Sequence, residues 1–251
     1  MKKTFIKRLA AFILFAITSA NLFSQGFYVY TKDGQRQDFP SENVDSIVFY
    51  EKVVDNFVDG HEYVDLGLPS GLKWATCNVG ASKPEDYGGY YAWGETTTKN
   101  SYRWATYKWC EGTKSTLTKY CTKSNYGTVD SLTTLTSSDD VATIRWGSKW
   151  RIPTEAEIEE LVKNCTWTWT TQGGKKGMTV TGPNGNSIFL PATGLRSDTD
   201  VFYRGKYGYY WSATLGEFTS YGARNLYFGS DSGSCQYCDR GGGLTVRPVT
   251  E

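Results

Sequence analysis

The chain is poor in the side chains on which many enzymes and nucleic-acid-binding proteins depend. It has a single histidine, His61, so a multi-histidine metal centre is excluded. Any Ser/His or Cys/His catalytic arrangement would have to use that one residue. The formal net charge is +1, which provides no strongly basic surface for nucleic acid or for an anionic membrane. The composition therefore predicts no nucleic-acid partner, no cofactor and no metal site.

Long apolar runs are also missing, except for one near the N-terminus. Four basic residues between positions 2 and 8 precede the uncharged run LAAFILFAI at 9–17, which is too short to span a bilayer. Small residues follow, so residues 1–20 are predicted to be a signal peptide, with cleavage after Ser24 as the alternative. We expect an exported protein, in the periplasm, at the cell surface or secreted, without a membrane span after cleavage.

Export affects the interpretation of the six cysteines, because an even number in an exported chain favours disulfides. The short polar segment between Cys110 and Cys121 favours a bridge across it. Cys235 and Cys238 form a CxxC, which we interpret as a structural staple in a loop because no helix pattern follows it. The remaining pairing stays open.

Glycine and aromatic residues are abundant, with 27 Gly, 18 Tyr and 9 Trp, which is typical of a β-rich extracellular module with many loops. The pattern divides into a small β unit at 27–50, a linker at 51–60 and a main domain at 61–251. Within the main domain we expect antiparallel strands, one clear helix, one short helix and long loops. The predicted class is α+β.

The clear helix is predicted from WGSKWRIPTEAEIEELVKNC at 146–165. Thr154 and Glu157 form a capping box directly after a proline. Apolar side chains then recur on one helical face, at Ile158, Leu161, Val162 and Cys165. Each position has a structural role, so we interpret this segment as a structural helix and not as the wall of an active site. The short helix is expected in SSDDVATIRWG, with Ser138 or Asp139 as its N-cap.

Several segments, taken in order, resemble the Fibrobacter succinogenes major paralogous domain, a family common in exported proteins of the Bacteroidetes. They are YVDLGLPSGLKWATCNVGA, YGGYYAWGE, WGSKWRIPTEAEIEEL, NSIFLPATGLR, GYYWSAT and the closing VRPV, between residues 61 and 249. The resemblance implies a C-type-lectin-like fold. Lectins of that fold commonly bind sugar through calcium with Glu-Pro-Asn or Gln-Pro-Asp and Trp-Asn-Asp. Here Gly182-Pro183-Asn184 stands alone, and we interpret it as a tight turn.

RIPTEAEIEEL also resembles a signature of the formylglycine-generating enzymes, which share the lectin-like fold. That resemblance implies an oxidase using a pair of cysteines near the C-terminus. Cys235 and Cys238 lie near the end of this chain, but their spacing and flanking residues differ from those of that family. The shared segment is the structural helix, and a common fold does not transfer a function.

Aromatic residues remain as candidates for ligand recognition. Trp167 and Trp169 would lie on one face of a strand, as a platform for a sugar or peptide, and Tyr221 and Tyr237 lie in Gly/Ser-rich loops. We take these four as the candidate binding residues. Three other tryptophans, Trp93, Trp150 and Trp211, are expected in the core.

Three functions remain open at this point. The first is an exported, non-catalytic binding or adhesion module that recognises an extracellular glycan or protein through loop aromatics. The second is a structural subunit of the cell surface or of an appendage, assembled through the N-terminal β unit. The third is an oxidase of the formylglycine-generating type.

Overall fold

The computed structural model describes residues 27–30, 35–39 and 56–251, and the chain divides into two units, Met1–Val54 and Asp55–Glu251. In the first unit, β1 (Phe27–Tyr30) pairs antiparallel with β2 (Arg36–Phe39). This pair of strands lies within the predicted small β unit. The predicted signal peptide and the rest of that β unit lie outside the described residues.

The second unit contains twelve strands and two α-helices. Its strands are β3 Phe57–Val58, β4 His61–Asp65, β5 Lys73–Ala75, β6 Thr166–Gln172, β7 Lys175–Thr181, β8 Ser187–Pro191, β9 Leu195–Ser197, β10 Asp200–Phe202, β11 Gly208–Leu215, β12 Gly222–Phe228, β13 Gly233–Asp239 and β14 Val249–Thr250. Its helices are α1 Val141–Trp146 and α2 Glu155–Asn164, with 3-10 turns at Trp104–Thr106, Ser124–Tyr126 and Ser137–Asp139.

Every strand pair within these sheets is antiparallel. The sheets have the orders β14-β5-β4-β3, β6-β7-β8, β9-β10 and β11-β12-β13. Two helices beside antiparallel sheets confirm the α+β class. Phe57 and Val58, assigned from the sequence to the linker, pair with β4, so the sheet begins before the predicted domain boundary at residue 61.

Helix α2 confirms the predicted capping box. The Thr154 hydroxyl accepts a hydrogen bond from the Glu157 backbone N–H at 3.4 Å, and the Glu157 carboxylate accepts one from the Thr154 N–H at 2.8 Å. Arg151 donates two further bonds to the same carboxylate, at 2.7 and 2.6 Å. Ile158 and Leu161 are buried on the predicted apolar face. The helix thus starts and packs as its sequence indicates.

The short helix α1 begins one or two residues later than expected. Asp140, and not Ser138 or Asp139, is its N-cap, and the Asp140 carboxylate accepts bonds from the backbone N–H of Ala142 and of Thr143. The two expected caps lie in the preceding 3-10 turn. No helix of the described residues is long and apolar enough to cross a membrane.

The sheet β11-β12-β13 lies between two hydrophobic cores. Alternate residues of a strand point to opposite faces, and in β11 Trp211 belongs to one core and Tyr210 to the other. The first core also holds Trp93 and Trp150, so all three tryptophans expected in the core are buried there. Helix α2 covers the second core. Because both of its faces are covered, this sheet is held in place, and so are the side chains at its ends.

The long segment before α1 is held by a buried arginine. Arg240 is fully buried and has no carboxylate partner among the described residues. Its guanidinium donates to the carbonyls of Lys119, Tyr120 and Ser220, and to the Tyr107 hydroxyl at 3.0 Å. Buried carbonyl groups need donors when no strand supplies them. Arg240 supplies them to a segment that is otherwise mostly loop.

A second buried arginine, Arg247, joins the chain end to the first strands. It donates to Asn78 Oδ1 at 2.8 Å and to the carbonyls of Ala75, Thr76 and Phe189. Arg247 is 1% exposed and Asn78 is fully buried, so these bonds are made away from water. Arg247 therefore fixes three segments that are distant in sequence.

Candidate functional site

Trp167 and Trp169 lie on one face of β6, as the sequence predicts, but that face packs on the core. Both rings are half-buried against the second core, and the Trp167 ring lies 5.9 Å from that of Phe228. A Cβ on Gly233 would lie 3.1 Å from the Trp167 ring, so the next sheet approaches it closely. These two tryptophans therefore contribute mainly to packing.

Tyr221 and Tyr237 differ in their surroundings. Tyr221 is half-buried on a third hydrophobic core, which includes Tyr107 and Leu117. The Tyr126 ring lies 5.2 Å from the Tyr221 ring, and Lys114 Nζ lies 4.8 Å from its centroid. Tyr237 is 61% exposed and lines a small depression of about 30 Å³ with Phe218, which is 71% exposed. Of the four predicted binding residues, only Tyr237 presents most of its ring to solvent.

The predicted Cys235–Cys238 bridge is absent, and all six cysteines are free thiols. Cys235 and Cys238 lie three residues apart within β13, so they point to opposite faces of the sheet. Cys235 packs on the second core and Cys238 on the first. Burial raises the pKa of Cys235 to about 12 and that of Cys238 to about 11, which favours the protonated, unreactive thiols.

The predicted Cys110–Cys121 bridge is also absent. The Cys110 thiol donates to the Trp104 carbonyl at 3.2 Å, and the Cys121 thiol donates to the Lys123 carbonyl at 3.2 Å. Each sulfur thus has its own backbone partner. The segment between them is held by Arg240 and backbone bonds instead of the expected disulfide.

His61, the only imidazole, lies at a cavity of about 280 Å³ that Cys77 and Glu62 also line. Its ring stacks on Trp146 with centroids 3.8 Å apart and planes 9° apart, and meets the edge of Trp150 at 6.2 Å. Burial lowers the pKa of His61, although Asp59 opposes this shift. The stacked ring has a packing role and lines this cavity.

The turn at Gly182-Pro183-Asn184 is held by hydrogen bonds of its own side chains. The side-chain amides of Asn184 and Asn186 both donate to the Asp65 carbonyl, each at 2.9 Å. Both side-chain nitrogens are therefore used to hold the turn against the Asp65 carbonyl. Among the described residues there is no cluster of three His, Cys, Asp or Glu side chains that could hold a metal ion.

A run of five aromatic rings lies at one end of the sheet β11-β12-β13, and we call it the aromatic band. Successive ring centroids are 6.3, 5.7, 5.4 and 5.2 Å apart. In that order the members are Phe202, Tyr203, Tyr207, Tyr227 and Tyr209. Phe202 is 44% and Tyr203 is 52% exposed, and the other three are half-buried. The band therefore exposes ring surface at Phe202 and Tyr203, and packing holds its other end.

The register of β11 and β12 brings distant parts of the chain into the band. Tyr209 lies directly opposite Tyr227, and side chains at such positions are close neighbours. Tyr207 precedes β11, and Gly229 follows β12. A Cβ at Gly229 would lie 3.3 Å from the Tyr207 ring, so glycine there lets the ring lie against the backbone.

The exposed end of the band is a tight turn, FYRGKY at 202–207, held by backbone bonds. The N–H of Gly205 donates to the Ala192 carbonyl at 2.8 Å, and that of Gly194 donates to the Tyr207 carbonyl at 2.8 Å. A Cβ at Gly194 would lie 2.1 Å from the Phe202 carbonyl oxygen, so only glycine fits there. Tyr203 has φ 61°, the left-handed region that a tyrosine seldom adopts. The turn thus has a fixed and locally strained backbone.

Burial raises the pKa of two phenols of the band, those of Tyr209 and Tyr227. Burial, followed by the neighbouring Tyr227, raises the pKa of Tyr209 to about 12. The pKa of Tyr227 is also raised, by burial and by Tyr207. Neutral phenols present a ring face for stacking and a hydroxyl that donates and accepts hydrogen bonds. This is a surface suited to binding.

The sequence signals for the band were present in part. Tyr207 and Tyr209 lie in the aromatic run at the start of β11, but Phe202, Tyr203 and Tyr227 carry no motif that connects them. The turn FYRGKY combines aromatic residues, two cations and a glycine between strands, which is the signal that would have drawn attention to it.

No protein family model, curated protein or solved structure matches this chain. The resemblance described above stays a prediction, and the site is argued from its geometry.

Proposed function

We propose that this protein is an exported, non-catalytic recognition module that binds a glycan through the aromatic band. The observation that carries the proposal is the chain of five neighbouring rings, of which Phe202 and Tyr203 are exposed. Aromatic rings provide a large contact area and lose little side-chain entropy on binding, so they suit weak ligands on a rigid surface.

The shape of the band favours a glycan over a protein partner. The rings follow one another in a single file, and a sugar ring is similar in size to a phenol ring. A stable protein interface buries roughly 800 Å² on each partner, which requires a broader patch. Phenol hydroxyls beside the rings can bond to sugar hydroxyls while the ring faces contact the C–H groups of the sugar.

We also propose a C-type-lectin-like fold for residues 61–251. The sequence segments that resemble the Fibrobacter succinogenes major paralogous domain support it, and so do antiparallel sheets combined with two helices and long loops. The basic and apolar start of the chain supports export. A lectin-like module at the cell surface would meet extracellular glycans.

The arrangement of the cysteines favours binding over an oxidase role. A two-cysteine oxidation centre needs both sulfurs on one side of a strand, whereas Cys235 and Cys238 lie three residues apart in β13 and face different cores. The raised pKa of each thiol also disfavours the reactive thiolate.

The test is a panel of soluble polysaccharides in affinity gel electrophoresis, with the full chain and two double variants. Tyr203→Ala with Tyr207→Ala removes two rings of the band. Phe218→Ala with Tyr237→Ala removes two exposed rings elsewhere and is the matched control. We expect the band variant to lose retardation by at least one polysaccharide, while the control keeps it and both melt near the parent temperature.

Loss of binding in the Phe218/Tyr237 variant alone would move the site to the depression that contains Tyr237. Unchanged retardation of both variants would rule out either aromatic site. If no polysaccharide binds but the protein copurifies with surface fibres, the structural-subunit function replaces the proposal.

A further inference from the structure

An arginine beside the aromatic band is held by rings and not by an acid. The Arg204 side chain is exposed, and its guanidinium carbon lies 5.0 Å from the Tyr87 ring centroid and 5.8 Å from that of Tyr90. Arg204 Nη2 donates to the Tyr90 hydroxyl at 3.2 Å. Cation–π contacts and one bond to a neutral hydroxyl orient the guanidinium without neutralising it.

The groups around Arg204 are themselves fixed. Tyr90 is buried, and its hydroxyl donates to the Thr193 carbonyl at 2.5 Å. The nearby carboxylate of Asp86 is already paired with Lys175 at 2.6 Å, and Lys175 Nζ lies 5.0 Å from the centroid of the Tyr87 ring. Within the described part of the chain, Arg204 has no carboxylate at ion-pair distance. Its positive charge is therefore available to a ligand.

The position of this charge connects it to the band. Arg204 directly follows Tyr203 in the strained turn, and Lys206, two residues further, also has no ion pair among the described residues. The carboxylate of Asp231, in the turn after β12, accepts a hydrogen bond from its neighbour Ser230 and forms no ion pair with Arg204 or Lys206. The exposed end of the band thus combines stacking rings with two unneutralised cations.

We propose that the glycan bound by the aromatic band carries an anionic group, and that Arg204 binds this group. The inference rests on the proposed function and names its substrate class. A guanidinium forms two parallel hydrogen bonds to a carboxylate or a sulfate, and it keeps donors free for this because only one is bonded to Tyr90. A uronic acid or a sulfated sugar would place a ring on the band and its anion on Arg204.

The experiment compares polysaccharides that differ only in charge. Polygalacturonate is paired with its methyl ester, and dextran sulfate with dextran, which separates a carboxylate from a sulfate source. The variants are Arg204→Gln and Tyr203→Ala/Tyr207→Ala. Arg145→Gln is the matched control, because Arg145 is also exposed and its guanidinium carbon lies 5.5 Å from the centroid of a tyrosine ring, that of Tyr91.

We expect one acidic polymer to bind roughly tenfold more tightly than its neutral partner, the gain of a charge-assisted contact. Arg204→Gln should remove that preference while Arg145→Gln keeps it. Equal binding of acidic and neutral forms, with loss only in the Tyr203/Tyr207 variant, overturns this inference and leaves the proposed function standing. An equal loss in Arg145→Gln would show unspecific attraction and overturn it too. No binding to any polymer would overturn both proposals.

Discussion

Arg247 Nε donates a hydrogen bond to Asn78 Oδ1 at 2.8 Å, and both side chains are buried. The guanidinium has carbonyl and amide acceptors and no carboxylate among the described residues. A buried charge that depends on neutral acceptors is sensitive to the loss of any one of them.

Replacing either partner should therefore be costly. We expect Asn78→Ala to lower the free energy of unfolding by about 2–3 kcal/mol, because a charged donor loses its acceptor. Arg247→Met leaves several buried carbonyls without donors and should cost at least about 3 kcal/mol. Urea denaturation measures both. The exposed Arg145→Met should stay within about 0.5 kcal/mol, and a similar loss there would refute the special role of Arg247.

The capping of α2 leads to a second prediction. Thr154→Ala should lower the free energy of unfolding by about 1 kcal/mol through the lost cap. Leu161→Ala, which empties a fully buried position, should cost about 2–5 kcal/mol. Neither residue lies in the aromatic band, so glycan binding per folded molecule should be unchanged. A folded variant that no longer binds would place α2 in the site.

The Glu157 carboxylate should make stability depend on pH. Burial acts to raise its pKa, but the bonds from Arg151 and from Thr154 prevail and lower it below the ordinary 4.5. A depressed pKa stabilises the fold above pH 4.5, and that contribution is lost as the pH falls through the folded-state value. The melting-temperature gap between the parent and Glu157→Gln should therefore shrink below pH 4.5. Glu159→Gln, exposed on the same helix, is the matched control.

Trp167 and Trp169 should behave as packing residues. We expect Trp167→Ala to cost roughly 2 kcal/mol, less than the 3–5 kcal/mol of a fully buried tryptophan, because its ring is half-buried. Tyr237→Ala, which truncates an exposed ring, should change stability by less than about 0.5 kcal/mol. Thermal and urea unfolding compare them. A stable Trp167→Ala variant that loses glycan binding would instead place the binding site at Trp167 and Trp169 on β6.

The thiols give a prediction that mass spectrometry can check. Without reductant, denatured protein should bind six equivalents of an alkylating reagent, because all six cysteines are free. In the folded protein, Cys235 and Cys238 should label slowly near neutral pH, since burial raises the pKa of each. A disulfide-linked peptide containing Cys110 and Cys121 would instead bear out the bridge expected from the sequence.

Local patterns predicted local structure well. Thr154 and Glu157 are three residues apart, so the capping box and the face of α2 follow from neighbouring residues alone. The turn at Gly182-Pro183-Asn184, before β8, also follows from neighbouring residues alone. The N-cap of α1 was misplaced by one residue or more because three successive acceptors, Ser138, Asp139 and Asp140, compete there, and Asp140 also bonds to the distant N–H of Ile152.

Nonlocal contacts explain the predictions that differ from the structure. Alternation placed Trp167 and Trp169 on one face of a strand, but which face the core covers depends on the approach of β12 and β13. The sequence indicates a loop staple at Cys235 and Cys238 because no helix pattern follows them, whereas pairing with β12 extends them into a strand. The aromatic band depends on the Tyr209–Tyr227 register, which no local pattern reveals.

The turn at 202–207 has a frame made of main chain. Gly194, Ala192 and the turn's own carbonyls hold it, while the side chains at positions 203, 204 and 206 take no part in those backbone bonds. The exposed side chains can therefore be replaced together without loss of the backbone bonds that hold the turn. Proteins that share this scaffold could diverge in what they bind by changing a few adjacent codons. The same turn is a suitable place to graft a new specificity by design.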